Sequence, residues 1–333
     1  MKYICFCFVL FFIIPLHIQA QQWSDYFVVP EMFGCISDSR EAAEQNARGL
    51  QKAIDYAISK GVTLVSSRNK KYYIDKGLVI TGGLDINLGS ATIVATDTMK
   101  MLTINNGKAR QWAGTLRSFR LDMNGKANYG IYCENAIKLR ITDGEIVNIK
   151  KNGVGMYMGK GYELFVDNIH FHSTHIKSTG IMMRTNDCHI SDCVMIDCHT
   201  AVDNAGCNFY SRIHAWMTAK HIEGSIFFRN HGGLVYLSQC FSDSFDKSFD
   251  IVGVSELHIS QFRLFHNKIM WKAPYDRWNP VLFHYKNREI AQKSVITLMD
   301  SNIGGLFLDG KNHQVFSNMS EVKIERIGTV IAN

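Results

Sequence analysis

The chain contains 333 residues with a formal net charge of +6, and charged residues make up 20% of its composition. This positive charge is modest for the length and does not indicate nucleic-acid binding. A mildly basic surface suits an anionic partner such as a uronate-containing glycan, although a charge that only maintains solubility explains the composition as well.

The first twenty residues have the features of a secretory signal peptide. Lys2 supplies the positive amino-terminal region, residues 5–15 are almost wholly apolar, and Ala20 is a small residue at a cleavage position. The segment is too short for a membrane-spanning helix. We expect residues 1–20 to be removed and residues 21–333 to form one β-helix domain, secreted or periplasmic, with no membrane insertion. Export also argues against a nucleic-acid partner.

Removal of the signal peptide would leave seven cysteines. An odd number requires at least one free thiol in a monomer. Cys188, Cys193 and Cys198 are five residues apart, which is not the paired spacing of a zinc site. We expect the cysteines to pack as small hydrophobic residues in the core, with disulfides and a metal site as the alternatives.

One amphipathic helix is predicted over residues 41–59. Leu50, Ile54, Ala57 and Ile58 recur at the spacing of a single helical face. Gly61 stands where a left-handed residue commonly ends a helix.

A short strand-like phrase recurs at intervals of 21 to 27 residues, beginning at Gly130, Gly153, Gly180, Ala201 and Gly224. In each copy apolar residues alternate with others. This period indicates a solenoid, whose repeats bury their apolar faces only against their neighbours. The sequence therefore predicts an all-β fold, a single-stranded right-handed parallel β-helix. Because an open solenoid end exposes apolar side chains and unpaired backbone, we expect the helix at 41–59 to cap it.

Three amino-terminal segments carry a family resemblance. Residues 29–35 (VPEMFGC), 61–65 (GVTLV) and 72–74 (YYI) resemble the first part of pectate-lyase-type (pectin lyase-like) β-helix proteins. That family includes exported polysaccharide lyases and polygalacturonase-like glycoside hydrolases, so the resemblance implies a β-helix that acts on a polysaccharide. Residues 37–43 differ from the glycine- and aspartate-rich sequence usual there, so the resemblance does not assign the reaction.

Polar residues occupy equivalent corners of several predicted coils, where local hydrogen bonds from the side chain stabilise a turn. We assign four aspartates to such turns and not to catalysis: Asp143, Asp167, Asp192 and Asp300. His170 and His172 share one face of a strand, but no carboxylate repeats at ligand spacing, and the sequence assigns no metal site.

Strand alternation converts the repeat into a map of the surface, with adjacent coils about 4.8 Å apart. The residues expected to face the core are Ile131, Val154, Ile181, Val202, Ile226 and Ile251. The residues expected to face outward are Tyr132, Glu134, Gly155, Tyr157, Met182, Arg184, Asp203, Phe227, Arg229 and Asp250. This outward column would suit a sugar chain, with Glu134 and Tyr157 among its substrate-binding residues.

Two mechanisms suit the outward column. In a hydrolase, Asp203 and Asp250, about 9–10 Å apart by coil spacing, would flank the glycosidic bond as an inverting pair. In a lyase, a base removes the proton next to a uronate carboxyl group while Arg184 or Arg229 binds that carboxylate. The sequence establishes no cofactor, but in the lyase Asp203 or Asp250 would hold calcium.

His231 is a further catalytic candidate. The segment Asn230-His231-Gly232-Gly233 is similar to the Gly-His-Gly motif of polygalacturonases. The other motifs of that family are incomplete, because residues 178–180 read STG and residues 200–203 read TAVD with a single acid.

Residues 271–280 interrupt the coil pattern with a long predicted turn. Trp271, Tyr275 and Trp278 would stack on sugar rings if they are exposed, and would cover the core at a coil corner if they are not.

The sequence therefore predicts an exported enzyme that cleaves glycosidic bonds of a polysaccharide, most simply a uronate-containing one, by β-elimination or hydrolysis. The alternative is a non-catalytic glycan-binding or surface protein on the same scaffold, with the outward charges forming only a solvated ladder.

Overall fold

The computed structural model describes residues 26–105, 114–175, 177–218, 223–265, 281–299 and 301, and the backbone of residues 322–324. The expected signal peptide and Asp300 lie outside the described residues, as do Trp271, Tyr275 and Trp278.

Short strands dominate the described chain and form a parallel β-solenoid of about eight turns. Two helices, α1 (Ala43–Lys60) and α2 (Arg288–Lys293), and a 3-10 helix (Pro30–Phe33) accompany them. In chain order the strands are β1 (Phe27–Val28), β2 (Thr63–Val65), β3 (Lys71–Ile74), β4 (Leu78–Ile80), β5 (Leu84–Ala95), β6 (Lys100–Asn105), β7 (Gly114–Asp122), β8 (Tyr129–Ile137), β9 (Arg140–Ile149), β10 (Val154–Met158), β11 (Gly161–Tyr162), β12 (Phe165–Ser173), β13 (Thr179–Met183), β14 (Cys188–Ser191), β15 (Val194–Ile196), β16 (Thr200–Asn204), β17 (Asn208–Ser211), β18 (His214–Trp216), β19 (Ile226–Asn230), β20 (Gly233–Ser238), β21 (Phe241–Asp243), β22 (Lys247–Ile251), β23 (Ser255–Ser260), β24 (Arg263–Phe265), β25 (Val281–Tyr285), β26 (Val295–Met299) and β27 (Val322–Ile324).

The strands divide between two sheets. The smaller sheet stacks β4, β6, β8, β10, β13, β16, β19, β22 and β25 in that order, and β11 also pairs with β8. The remaining seventeen strands form the larger sheet. The pairs are parallel, apart from the antiparallel pair β26–β27. The sequence-based prediction of an all-β parallel solenoid is therefore confirmed.

The smaller sheet packs one column of side chains into the core and carries the adjacent column on its opposite, outer face. The buried column is Leu78, Leu102, Ile131, Met156, Ile181, Val202, Phe228, Phe249 and Phe283. The outward column is Val79, Thr103, Tyr132, Tyr157, Met182, Asp203, Arg229, Asp250 and His284. Register thus brings together residues that are far apart in sequence.

Some of the expected inward and outward positions are wrong. Phe227 does not face solvent: it is 1% exposed, and its ring packs against Phe245, Phe249 and Phe262. A side chain at Gly155 would also meet the interior, since an added Cβ would lie 2.7 Å from the Phe171 ring. Both residues lie near the start of a strand, where several consecutive positions are buried, so alternation begins only after them.

Three residues expected in the buried column lie in other register columns of the smaller sheet. Val154 pairs with Tyr129, Ile226 pairs with Thr200, and Ile251 pairs with Asn230. All three are buried, so only their assumed register was wrong.

Helix α1 begins two residues later than expected and ends at Lys60, with Gly61 in the left-handed conformation at φ 66°. Leu50, Ile54 and Ala57 on its buried face belong to the hydrophobic core. None of the helices in the described part of the chain is long and apolar enough to span a membrane.

The corners of the larger sheet require left-handed backbone at one residue. Asp143 and Asp192 adopt this conformation, as expected of turn residues, and so does Asn168 between them. Asn168 Nδ2 donates to Asp143 Oδ1 at 2.8 Å, which links adjacent coils. Asp167 does not have positive φ and instead accepts a hydrogen bond from Ser191 Oγ.

Six of the seven cysteines expected in the mature chain are buried, and none forms a disulfide. Burial raises the pKa of the Cys133 and Cys193 thiols to about 12, so both remain protonated at neutral pH. Only Cys207 is partly exposed. This arrangement agrees with the expectation of hydrophobic packing.

Candidate active site

Charged residues are concentrated in the carboxy-terminal half of the outward column. Asp203, Arg229, Asp250 and His284 are direct register partners on β16, β19, β22 and β25. Adjacent parallel strands are about 4.8 Å apart, so each side chain lies within reach of the next. Arg184 and His231 immediately follow β13 and β19 and flank the column.

Asp203 lies between an arginine and a histidine from neighbouring coils. Its Oδ1 atom is 2.8 Å from Arg184 Nη2 and 2.9 Å from His231 Nε2. Arg184 is held in place because its Nη1 also donates to the Met183 and Asp203 carbonyl oxygens. Although both side chains are close, Oδ1 is buried and makes no hydrogen bond of normal geometry with the described residues. It is therefore an acceptor that a small movement of either donor would satisfy.

Asp250 repeats this arrangement two coils farther along. Arg229 Nε donates to its Oδ2 at 2.8 Å, and His284 Nδ1 lies 2.6 Å from its Oδ1. Burial alone would raise the pKa of Asp250, but the hydrogen bonds from Arg229 and His284, with the charges of Arg229 and Lys247, outweigh it and lower the pKa below its usual value. Asp250 is therefore ionised at neutral pH.

The partners are more accessible than the carboxylates. The side chains of Asp203 and Asp250 are 9% and 7% exposed, whereas those of Arg184, Arg229, His231 and His284 are 21% to 37% exposed. A molecule lying along the outward column would therefore meet guanidinium and imidazole groups first. This surface suits an anionic ligand.

A buried amide network supports the strands behind the charged residues. Asn204 Nδ2 donates to Asn230 Oδ1 at 2.7 Å, and Tyr210 donates to Asn204 Oδ1 at 2.8 Å. Asn230 Nδ2 in turn donates to Ser255 Oγ at 2.9 Å. Because Asn204 and Asn230 directly follow Asp203 and Arg229, this network fixes the backbone that carries them.

The amino-terminal half of the column contains two tyrosines on adjacent coils. The rings of Tyr132 and Tyr157 stack at 4.7 Å, and Lys100 Nζ lies 3.4 Å from the Tyr132 ring centre. This stacking occupies one face of the Tyr157 ring. Glu134 is exposed beside these rings and accepts a hydrogen bond from Asn105 at 3.0 Å.

The structure brings the five expected catalytic residues together and adds His284. Sequence reasoning missed His284 because Asp250 and His284 are 34 residues apart, a longer step than the 21 to 27 residues between the repeated phrases. Alternation within Phe283-His284-Tyr285 was the available signal, since it places two aromatic residues inward and the histidine outward.

The charged residues do not fit calcium. Calcium prefers several oxygen ligands. Each of the two carboxylates is already paired with a guanidinium group, whose charge repels a second cation. Across the described residues, no group of three His, Cys, Asp or Glu side chains is arranged to hold a metal ion.

Comparison with known protein families found no family model that matches this chain, and comparison with curated protein sequences found no match either.

Proposed function

We propose that this protein is an exported enzyme that cleaves glycosidic bonds in a uronate-containing polysaccharide, by β-elimination in preference to hydrolysis. The observation that carries the proposal is a difference in exposure: the Asp203 and Asp250 carboxylates are buried in ion pairs, and the arginines and histidines beside them are more exposed to solvent. The resemblance of residues 28–97 to pectate-lyase-type proteins supports the same substrate class.

Hydrolysis by a pair of aspartates fits this arrangement less well. An inverting hydrolase needs one carboxylic acid that stays protonated to donate to the leaving oxygen, and its pKa must be raised. The pKa of Asp250 is lowered instead.

Elimination gives three of the four more exposed groups a role. If a small movement of either side chain directs Nε2–H at Asp203, the His231 ring would keep Nδ1 as a proton acceptor. That nitrogen would remove the proton from the carbon next to the uronate carboxyl group. The electron pair would form a carbon–carbon double bond as the bond to the glycosidic oxygen breaks. That oxygen would take a proton from water, and His231 would return the proton it removed to the solvent, so that no net water is consumed. Arg184 and Arg229 would neutralise the charge that develops on the carboxylate.

Three further proposals concern the handedness of the solenoid, its capping helix and its export. We propose that the solenoid is right-handed, as parallel crossovers nearly always are, and that α1 caps its amino-terminal end. The packing of Leu50, Ile54 and Ala57 into the core supports the second point. We also propose that residues 1–20 direct export.

A non-catalytic glycan-binding protein is the second candidate. It is favoured by the alternation of charge along Asp203, Arg229 and Asp250, because such a ladder would also stabilise stacked coils without performing any reaction.

One assay separates these functions. The purified protein is incubated with a panel of uronate polysaccharides while reducing ends and the ultraviolet absorbance of unsaturated products are recorded. Both signals together support elimination, whereas reducing ends without absorbance would mean hydrolysis. Absence of both, with glycan binding retained and unchanged in Asp203→Asn and Asp250→Asn, would overturn the enzyme proposal.

A further inference from the structure

A groove lies on the larger sheet, away from the outward column. Its volume is about 690 Å³, within the range of roughly 300–1,000 Å³ typical of small-molecule sites. It follows a register column that runs from Lys71 through Thr92, Arg120 and Glu145 to His170. Four coil spacings give this column a length of about 19 Å. The groove can therefore hold a segment of several sugar residues.

One end of the groove is basic. Arg68, Lys70 and Lys71 line it. Lys70 is neutralised by Glu31 at 2.7 Å. Arg68 and Lys71 are exposed and form no ion pair with the described residues. This end therefore offers two cations for an anionic group.

The other end supplies acceptors. Asp143 and Glu145 line it, with Asn168 beside them. Asn168 donates to one oxygen of Asp143, and Arg120 donates to Glu145. A carboxylate can accept several hydrogen bonds, so both acids retain capacity for sugar hydroxyl groups. The exposed Arg120–Glu145 pair contributes little to stability and can exchange partners cheaply.

We propose that this groove is a second, non-catalytic binding site for an anionic oligosaccharide. A carboxylate or sulfate group would bind Arg68 and Lys71, and hydroxyl groups farther along would donate to Asp143 and Glu145. The choice of an acidic glycan rests on the proposed function, whereas the groove and its charge distribution do not. The site would hold a polysaccharide chain on the solenoid at a distance from the outward column.

The test is calorimetric binding of carboxylated, sulfated and neutral oligosaccharides of matched length. The protein carries His231→Gln, so that cleavage does not interfere. Adding Arg68→Gln with Lys71→Gln should weaken binding of the carboxylated or sulfated oligosaccharide by at least about tenfold. The matched control, Lys52→Gln with Lys60→Gln, removes the same charge from exposed positions on α1 and should leave affinity unchanged.

The oligosaccharide, carboxylated or sulfated, whose affinity falls in the groove variant identifies the acidic group of the ligand. Three results would each overturn the proposal. They are an equal loss of affinity in both double variants, no loss of affinity in the groove variant, and binding of the neutral oligosaccharide as tight as that of the charged ones. A groove-dependent loss in a protein that cleaves no glycan would support this site while contradicting the proposed enzymatic function.

Discussion

Asp203 Oδ1 and His231 Nε2 lie 2.9 Å apart on adjacent coils, and this pairing joins a buried carboxylate to a partly exposed imidazole. A carboxylate that accepts a hydrogen bond from one ring nitrogen of a histidine favours the tautomer in which the other nitrogen accepts a proton. A small movement of either side chain would complete this hydrogen bond, and in the proposed mechanism Asp203 would then orient His231 as the general base.

Replacement of His231 tests the role of this imidazole. We expect His231→Gln to lower kcat on a uronate polysaccharide by about 100-fold or more, with little change in KM, because glutamine cannot accept the proton. The matched control is His189→Gln, since His189 is exposed on the larger sheet between the rings of Phe165 and Phe209. Steady-state kinetics with unchanged thermal unfolding would establish the result; equal activity of the two variants would remove His231 from the mechanism.

Asp250 should make stability depend on pH in the acid range. Its pKa in the folded protein lies below the ordinary value of 3.8, so its ion pairs stabilise the fold above that value and are lost as pH falls through the folded-state pKa. We expect Asp250→Asn to reduce the free energy of unfolding by about 2 kcal/mol at neutral pH. The difference from the unmodified protein should shrink below pH 3.8. Denaturant titrations at several pH values measure it, and a difference that grows on acidification would contradict the assigned ion pairs.

Phe227 should behave as a core residue. Because its ring is buried among three other phenylalanines, Phe227→Ala should lower the free energy of unfolding by about 3–5 kcal/mol. Phe209→Ala, on an exposed ring of the larger sheet, should cost less than about 1 kcal/mol. Urea titration compares them, and similar losses for both would show that the register of β19 is wrong.

Thiol chemistry should distinguish Cys207 from the other six cysteines. In the native protein, iodoacetamide should modify Cys207, while the buried thiols with raised pKa values stay unmodified. After denaturation without a reductant, all seven should react, because none is held in a disulfide. Mass spectrometry counts the labels, and Cys207→Ser should take up none in the native state. Native labelling at Cys193 would contradict its burial.

Much of the scaffold could be predicted from sequence because the repeat is nearly uniform. Alternation placed Tyr132, Tyr157, Asp203, Arg229 and Asp250 on one face, where the structure has them. It failed at Phe227 and Gly155, since burial at the start of a strand does not follow a period of two. These errors depend on the path of the chain into each strand, which the alternating pattern does not encode.

The contacts between the charged side chains were harder to predict from the sequence than the fold. The contacts of Asp203 and Asp250 with histidines depend on side-chain direction across coils and, for His284, on a segment of variable length. The groove beside Lys71 was also missed, because its lining comes from five coils whose residues share no motif. Side-chain chemistry alone suggested a hydrolase and a lyase equally. The lyase is favoured by the burial of the carboxylates relative to their arginine and histidine partners and by the lowered pKa of Asp250.

The most direct test of the central claim is the mass of the products formed from a uronate oligosaccharide of known size. Elimination consumes no water, so the masses of the two products should sum to the mass of the parent, and one product should contain a carbon–carbon double bond. The His231→Gln variant should form neither product, because the proton-transfer step fails. Products that together exceed the parent by one water molecule would show hydrolysis and contradict the account, as would an oligosaccharide that is bound and recovered intact.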